Sequence, residues 1–122
     1  MAPPAADRDP AALLPLTAAM FHVLVAIADE PRHGYAIIKD VSARTGGAVE
    51  LGTGTLYAII KRAVADGVAV ESKTPPPGAE SDDERRRYYR LTPFGRKVVA
   101  AETERLEQMV SVARATRALG GR

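Results

Sequence analysis

The sequence predicts an α+β fold that is mainly helical, and three observations predict it. Four stretches carry apolar residues at three- and four-residue spacing, the period of amphipathic helices, and the last of them is long. Between the third and fourth, Val68 to Lys73 and Arg85 to Leu91 read as strands, separated by Thr74-Pro75-Pro76-Pro77-Gly78, a run that cannot pair in a sheet. The second of these strands holds Arg85, Arg86, Arg87 and Arg90 beside Tyr88 and Tyr89, which is poor material for a core. A helix followed by a basic two-stranded ribbon is the layout of a winged helix-turn-helix, here with a long C-terminal helix behind it.

In chain order, residues 1–15 contain Pro3, Pro4, Pro10 and Pro15 among alanines, and a mobile arm is expected there, with Leu13, Leu14 and Leu16 docking its end on the body. Thr17 is the expected N-cap of a first helix, Ala18 to Ala28. Phe21, Leu24 and Ala28 share one face of it and Met20, Val23 and Ile27 widen that face, so this helix belongs in the core. Asp29 to His33 reads as a turn that His33 caps or orients, and His22 as a partly buried packing residue. The second helix, Gly34 to Arg44, packs through Tyr35, Ile37, Ile38 and Val41 and stops at Gly46-Gly47, as a left-handed C-terminal cap requires. Ala48 to Leu51 suits one small strand. The third helix runs from Gly54 to Asp66, with Thr53 as its N-cap. Thr92 and Pro93 supply the cap and first-turn proline of the last helix, which continues to about Arg117. The expected organisation is an arm at 1–15, a winged helix-turn-helix domain at 16–91 and a C-terminal dimerisation helix at 92–119.

Composition narrows the function. The chain has 122 residues, 46% of them apolar and 26% charged, which suits one globular domain. No apolar run reaches the roughly 20 residues that span a bilayer, and cysteine is absent, which removes disulfides, thiolate metal sites and cysteine nucleophiles together. A cytoplasmic protein without membrane contact is expected. The two histidines, His22 and His33, lie in no metal or catalytic motif, so neither an enzyme nor a metal or other cofactor is expected. Net charge is only +2, from 17 basic and 15 acidic residues, but it is segregated. Arg85, Arg86, Arg87, Arg90, Arg96 and Lys97 follow one another with no acid between them, just after an acidic patch at Glu80, Asp82, Asp83 and Glu84. A local basic footprint of this kind suits a polyanion.

Projected at 100° per residue, the third helix has an inward face of Leu56, Ile59, Ile60, Ala63 and Val64. Its outward face combines the small Gly54, Thr55, Ala58 and Ala65 with Lys61 and Arg62, and Tyr57 stands on the flank. Small side chains let such a helix sink into a major groove while the cations reach phosphate or a guanine edge. Alone, Lys61 and Arg62 are equally well the solvated side of any surface helix; together with the arginine ribbon they form a more specific pattern. Along the last helix, Val99, Glu102, Leu106, Met109, Ala113 and Thr116 follow alternating three- and four-residue steps with Val110 beside them. That seam suits either packing on its own domain or pairing with a second subunit, and pairing is favoured by the helix's length.

His33-Gly34-Tyr35-Ala36-Ile37, Gly54-Thr55-Leu56-Tyr57, Lys61-Arg62, Asp66-Gly67 and Arg87-Tyr88-Tyr89-Arg90-Leu91-Thr92 with Gly95 together resemble the PadR family of bacterial transcriptional regulators, over about Leu16 to Gly95. The single short C-terminal helix is similar to the smaller subgroup. The resemblance implies a winged-helix domain, a dimerisation helix and a homodimer on a pseudo-palindromic double-stranded DNA operator. The expected DNA-facing residues are Thr53, Thr55, Tyr57, Lys61 and Arg62 on the third helix and Arg85, Arg86, Arg87 and Arg90 on the ribbon. The expected dimerisation residues are Val99, Leu106, Met109, Val110 and Ala113. A repressor is expected, and the resemblance allows release by a hydrophobic small-molecule effector, although the chain has no tryptophan and only 5% aromatics. The alternative is a winged-helix protein-interaction module that does not bind DNA. Many members of the family carry proline where this chain has Thr53.

Overall fold

The computed structural model describes residues 8–73 and 86–119 and has the winged-helix architecture. Four helices, α1 (Ala18–Ala26), α2 (Gly34–Arg44), α3 (Thr53–Ala65) and α4 (Pro93–Ala115), surround one core. A small antiparallel sheet of β1 (Arg32–His33), β2 (Ala69–Ser72) and β3 (Tyr88–Leu91) adjoins them, in the order β1-β3-β2. Val23, Leu24, Ala26 and Ile27 fill the centre, and Ile37, Val41, Leu56, Ile60 and Ala63 close on them from α2 and α3. Tyr89, Leu91, Phe94 and Val98 seal the wing and α4 onto the same core. None of the described helices is long and apolar enough to cross a membrane.

Local chemistry sets the ends of these elements. The Thr17 hydroxyl accepts the Met20 N–H at 3.1 Å and opens α1. His33 opens α2, its Nδ1 accepting the Ala36 N–H at 3.1 Å. The chain leaves α3 through Gly67, whose φ of 76° an L side chain rarely adopts, so that the Val68 N–H returns to the Ala63 carbonyl at 3.0 Å. Thr92 then does two jobs: its hydroxyl accepts the Gly95 N–H at 2.9 Å, capping α4, and donates to the Gly67 carbonyl at 2.6 Å, tying α4 to the end of α3.

Several expectations are corrected. The first helix ends at Ala26 rather than Ala28, because the Arg32 Nε–H takes the Ala26 carbonyl at 2.7 Å and turns the chain toward the sheet. The expected turn at Asp29–His33 ends in β1, where Arg32 pairs with Tyr89 and His33 with Tyr88. Ala48 to Leu51 forms no strand; Val49 and Leu51 pack against the core as irregular chain. Thr53 is not the N-cap of α3. Gly52, in extended backbone, holds that place without a side-chain hydrogen bond, and Thr53 is already helical, which takes its hydroxyl out of capping geometry. Val64, expected inward, is exposed.

Two further differences concern the ends of the domain. Within the expected arm, Pro10–Leu13 forms a 3-10 turn packed against α4, and the Arg8 guanidinium lies 4.3 Å from the centre of the Phe94 ring. On α4, Glu102 does not belong to an outward seam. It is 1% exposed, and its carboxylate accepts the Leu16 N–H at 2.9 Å and two N–H groups of Arg105 at 2.5 and 3.0 Å. Arg85, the proline loop, its acidic patch and Gly120-Gly121 lie outside the described residues.

Candidate nucleic-acid interface

The buried line of α3 runs through Leu56, Ile60 and Ala63, and the helix turns its other side to solvent. Gly54, Ala58 and Ala65 give that side a low relief, flanked by Lys61 and Arg62, all of them exposed. Without a side-chain cap at Gly52, the first N–H groups of α3 remain available to an incoming anion. Thr53 and Thr55 stand exposed on this same first turn.

The predicted residues divide over the two flanks of α3. On one flank Tyr57 joins Arg86, Arg87 and Tyr89 of the wing, His33 of β1, and Gly34 and Tyr35 of α2 around a cleft of about 490 Å³. On the other flank Thr55, Ala58 and Arg62 border a groove of about 470 Å³ against Leu13, Leu16 and Met20. Lys61 stands between the flanks, and among the described residues no carboxylate lies within ion-pair distance of it or of Arg90. Arg62 is held back by Asp66 at 3.1 Å, an exposed pair worth about 0–1 kcal/mol, so phosphate competes for it readily.

In the wing, β2 and β3 pair Val70 with Arg90 and Glu71 with Tyr89, which sends Arg90 to solvent and Tyr89 into the core side. Burial pushes the Tyr89 hydroxyl above its ordinary pKa, and Glu71 and the nearby Tyr57 add to the effect, so it remains a neutral hydrogen-bonding group. Arg87 pairs loosely with Glu71 at 3.7 Å. Arg86 Nη1 lies 2.9 Å from His33 Nε2, and the His33 and Tyr88 rings meet edge to face at 5.4 Å. The start of α2 and the wing are thereby joined, which sequence reasoning missed because β1 is only two residues long. It also missed Tyr35, an exposed ring with the Lys39 ammonium 5.4 Å from its centre, at the mouth of the cleft. Tyr35 had the spacing of a core residue on α2, and only its place beside a glycine distinguishes it.

The expected dimerisation residues also divide. Val99 packs partly against its own core and Leu106 is half-buried. Met109 and Val110 are 55% and 50% exposed, Val112 is 62% exposed, and Ala113 is exposed with them. Phe21 of α1 and Leu106, Val110 and Arg114 of α4 border a further groove of about 520 Å³. Among the described residues no group of three His, Asp or Glu side chains is placed to hold a metal ion.

Comparison with known proteins adds an independent finding. Residues 23–101 match the model of the transcriptional regulator PadR-like family. The chain is similar to an uncharacterized protein of Lysinibacillus sphaericus, 34% identical over 74 residues, 61% of this chain; it spans about 64% of that relative's length. The fold is similar to that of a PadR family transcription regulator from Clostridium difficile, with a TM-score of 0.63 at 19% identity, covering 83% of this chain and 97% of that one. It is also similar to that of a transcriptional regulator from Clostridium thermocellum, with a TM-score of 0.62 at 24% identity over 76% and 86% of the two chains. RosR of H. salinarum superposes with a TM-score of 0.58 at 26% identity, covering 85% of this chain and 83% of that one.

Proposed function

The chain belongs to the PadR-like family of transcriptional regulators, and from that premise we propose that it is a sequence-specific DNA-binding repressor that occupies a pseudo-palindromic operator as a homodimer. The single observation that carries the reading is the cleft in which Tyr57 of α3 and Arg86 and Arg87 of the wing share one surface. An exposed helix and a basic wing that meet along one cleft can grip one duplex. In this reading α3 enters a major groove with Thr53, Thr55, Tyr57, Lys61 and Arg62, while Arg85, Arg86, Arg87 and Arg90 hold the adjacent backbone or minor groove.

The second subunit packs along the distal part of α4. The support is the exposed apolar surface of Met109, Val110 and Val112 beside the half-buried Leu106. A hydrophobic small-molecule effector seated between α4 and Phe21, in the groove that Arg114 borders, would tilt the two subunits and release the operator.

Selection of DNA from random fragments by the purified protein tests the reading. The expected result is one enriched site with two-fold symmetry, bound by a particle of twice the chain mass in light scattering. Recovery of no sequence, with no shift of any duplex at low salt, would overturn it and leave the protein-interaction reading.

A further inference from the structure

Gly34 opens α2, yet its backbone does not ask for glycine. The positive-φ glycines of the described residues are Gly46, Gly47 and Gly67. Glycine is the poorest helix former after proline, so its place in the first turn of α2 has another cause. That cause is Tyr57. A Cβ added at Gly34 would lie 2.5 Å from the Tyr57 Oη, 2.9 Å from its Cζ and 3.2 Å from Leu56 Cδ2. Gly34 is buried while Tyr57 remains 48% exposed, so the hydroxyl end of the ring is pressed onto α2 and its flank faces the cleft.

We infer that Gly34 is a positioning residue for DNA recognition: by leaving room for the Tyr57 hydroxyl it lays that ring along the cleft between α2, α3 and the wing. The inference rests on the DNA-binding reading above. The three neighbours of the missing Cβ differ in how they respond to it. Leu56 is the farthest of the three, and a shift of only a few tenths of an ångström relieves its contact. Tyr57 is the closest and presents the far end of a side chain with open solvent beside it. An alanine at position 34 therefore displaces Tyr57 outward rather than unfolding the domain. The displaced ring rises on the surface that α3 offers to a major groove, one turn before Lys61. A helix that reads bases needs low relief there, and a raised tyrosine holds it off the base edges. The Arg86 and Arg87 side of the cleft loses the ring as its opposite wall at the same time.

The experiment compares wild type, Gly34→Ala, Tyr57→Ala and the double variant. Operator affinity is read by fluorescence anisotropy at fixed salt, melting by circular dichroism, and the Tyr57 ring by ¹³C-tyrosine NMR of the free protein. Gly34→Ala should keep a cooperative melt, shift the Tyr57 ring resonances and weaken operator binding about tenfold, the scale of one lost base contact. In the Tyr57→Ala background the same substitution should cost nothing further. An equal loss in both backgrounds, unmoved Tyr57 resonances, or wild-type affinity for Gly34→Ala in a protein whose wild type does bind would each overturn the inference alone. A wild type that binds no DNA sinks the preceding reading and this one with it. If Gly34→Ala does not fold, the double variant must, since the collision is gone; if neither folds, Leu56 is what Gly34 accommodates and the inference is wrong.

Discussion

Glu102 is a carboxylate with 1% of its surface exposed, and it is held ionised by the groups that face it. The Arg105 guanidinium is the main cause of its lowered pKa and the Leu16 N–H adds to it, against the opposing effect of burial. The sign for stability follows. The folded pKa lies below the ordinary value of 4.5, so the contribution is complete above 4.5 and is lost as pH falls through the folded value. Glu102→Ala should cost about 1–3 kcal/mol at neutral pH, because the Leu16 N–H loses its partner in a part-buried place. Urea midpoints of wild type and Glu102→Gln should stay apart above pH 4.5 and converge as pH is lowered below it. Lys61 makes a separate residue-scale prediction. Replaced by alanine it should weaken operator binding and lower the slope of log affinity against log salt by about one, since one phosphate contact is gone. At this scale the sequence is a partial guide. Lys61 is exposed as the helical projection predicts, but the same helical spacing placed Glu102 on an apolar seam that also suited pairing with a second subunit. Helical spacing records which side a residue is on; it does not record that a distant backbone N–H and a neighbouring arginine make that side a buried ion-pair site.

The elements join where side chains are missing as much as where they are present. A Cβ on Gly95 would collide with the Val68 carbonyl oxygen, so α4 lies directly on the backbone at the start of the wing. Gly95→Ala must lift α4 from that backbone and, by the usual cost of overpacking, should lower stability by about 1–3 kcal/mol, measurable in a denaturant titration. Long periodic helices and the capped start of α4 were legible from the sequence, since Thr92, Pro93, Gly46-Gly47 and Asp66-Gly67 are local signals. The two-residue strand β1 was not. It carries no alternation of its own and exists because Arg32 and His33 meet Tyr89 and Tyr88 from across the chain. The absent Thr53 cap has the same origin: the neighbouring Gly52 takes the extended conformation first, and no pattern in residue types reveals which of two adjacent residues does so.

For the whole molecule, the proposed dimer makes two demands. Leu106→Glu with Val110→Glu should convert it to a monomer that still melts cooperatively, because the side chains removed lie beyond the core of the subunit. Sedimentation would show half the mass, and operator affinity should fall while a single half-site keeps its weak binding. Salt gives a second measure. If 6–10 phosphates are contacted per operator, affinity should fall by about 10³–10⁵ between 50 and 200 mM salt, and a flat response would exclude backbone contacts as the main source of binding.

The near end of α4 is sunk into its own subunit at Phe94, Val98 and Glu102, while the far end is bare. A rod clamped at one end behaves as a pointer. From Glu102 to Ala115 it reaches roughly 20 Å at 1.5 Å per residue, so a tilt of about 10° at the clamp swings the tip by some 3–4 Å. Two such pointers lashed tip to tip would turn a small adjustment at Leu16 or Arg105 into a change in the spacing of their two heads, and a duplex tolerates little error in that spacing.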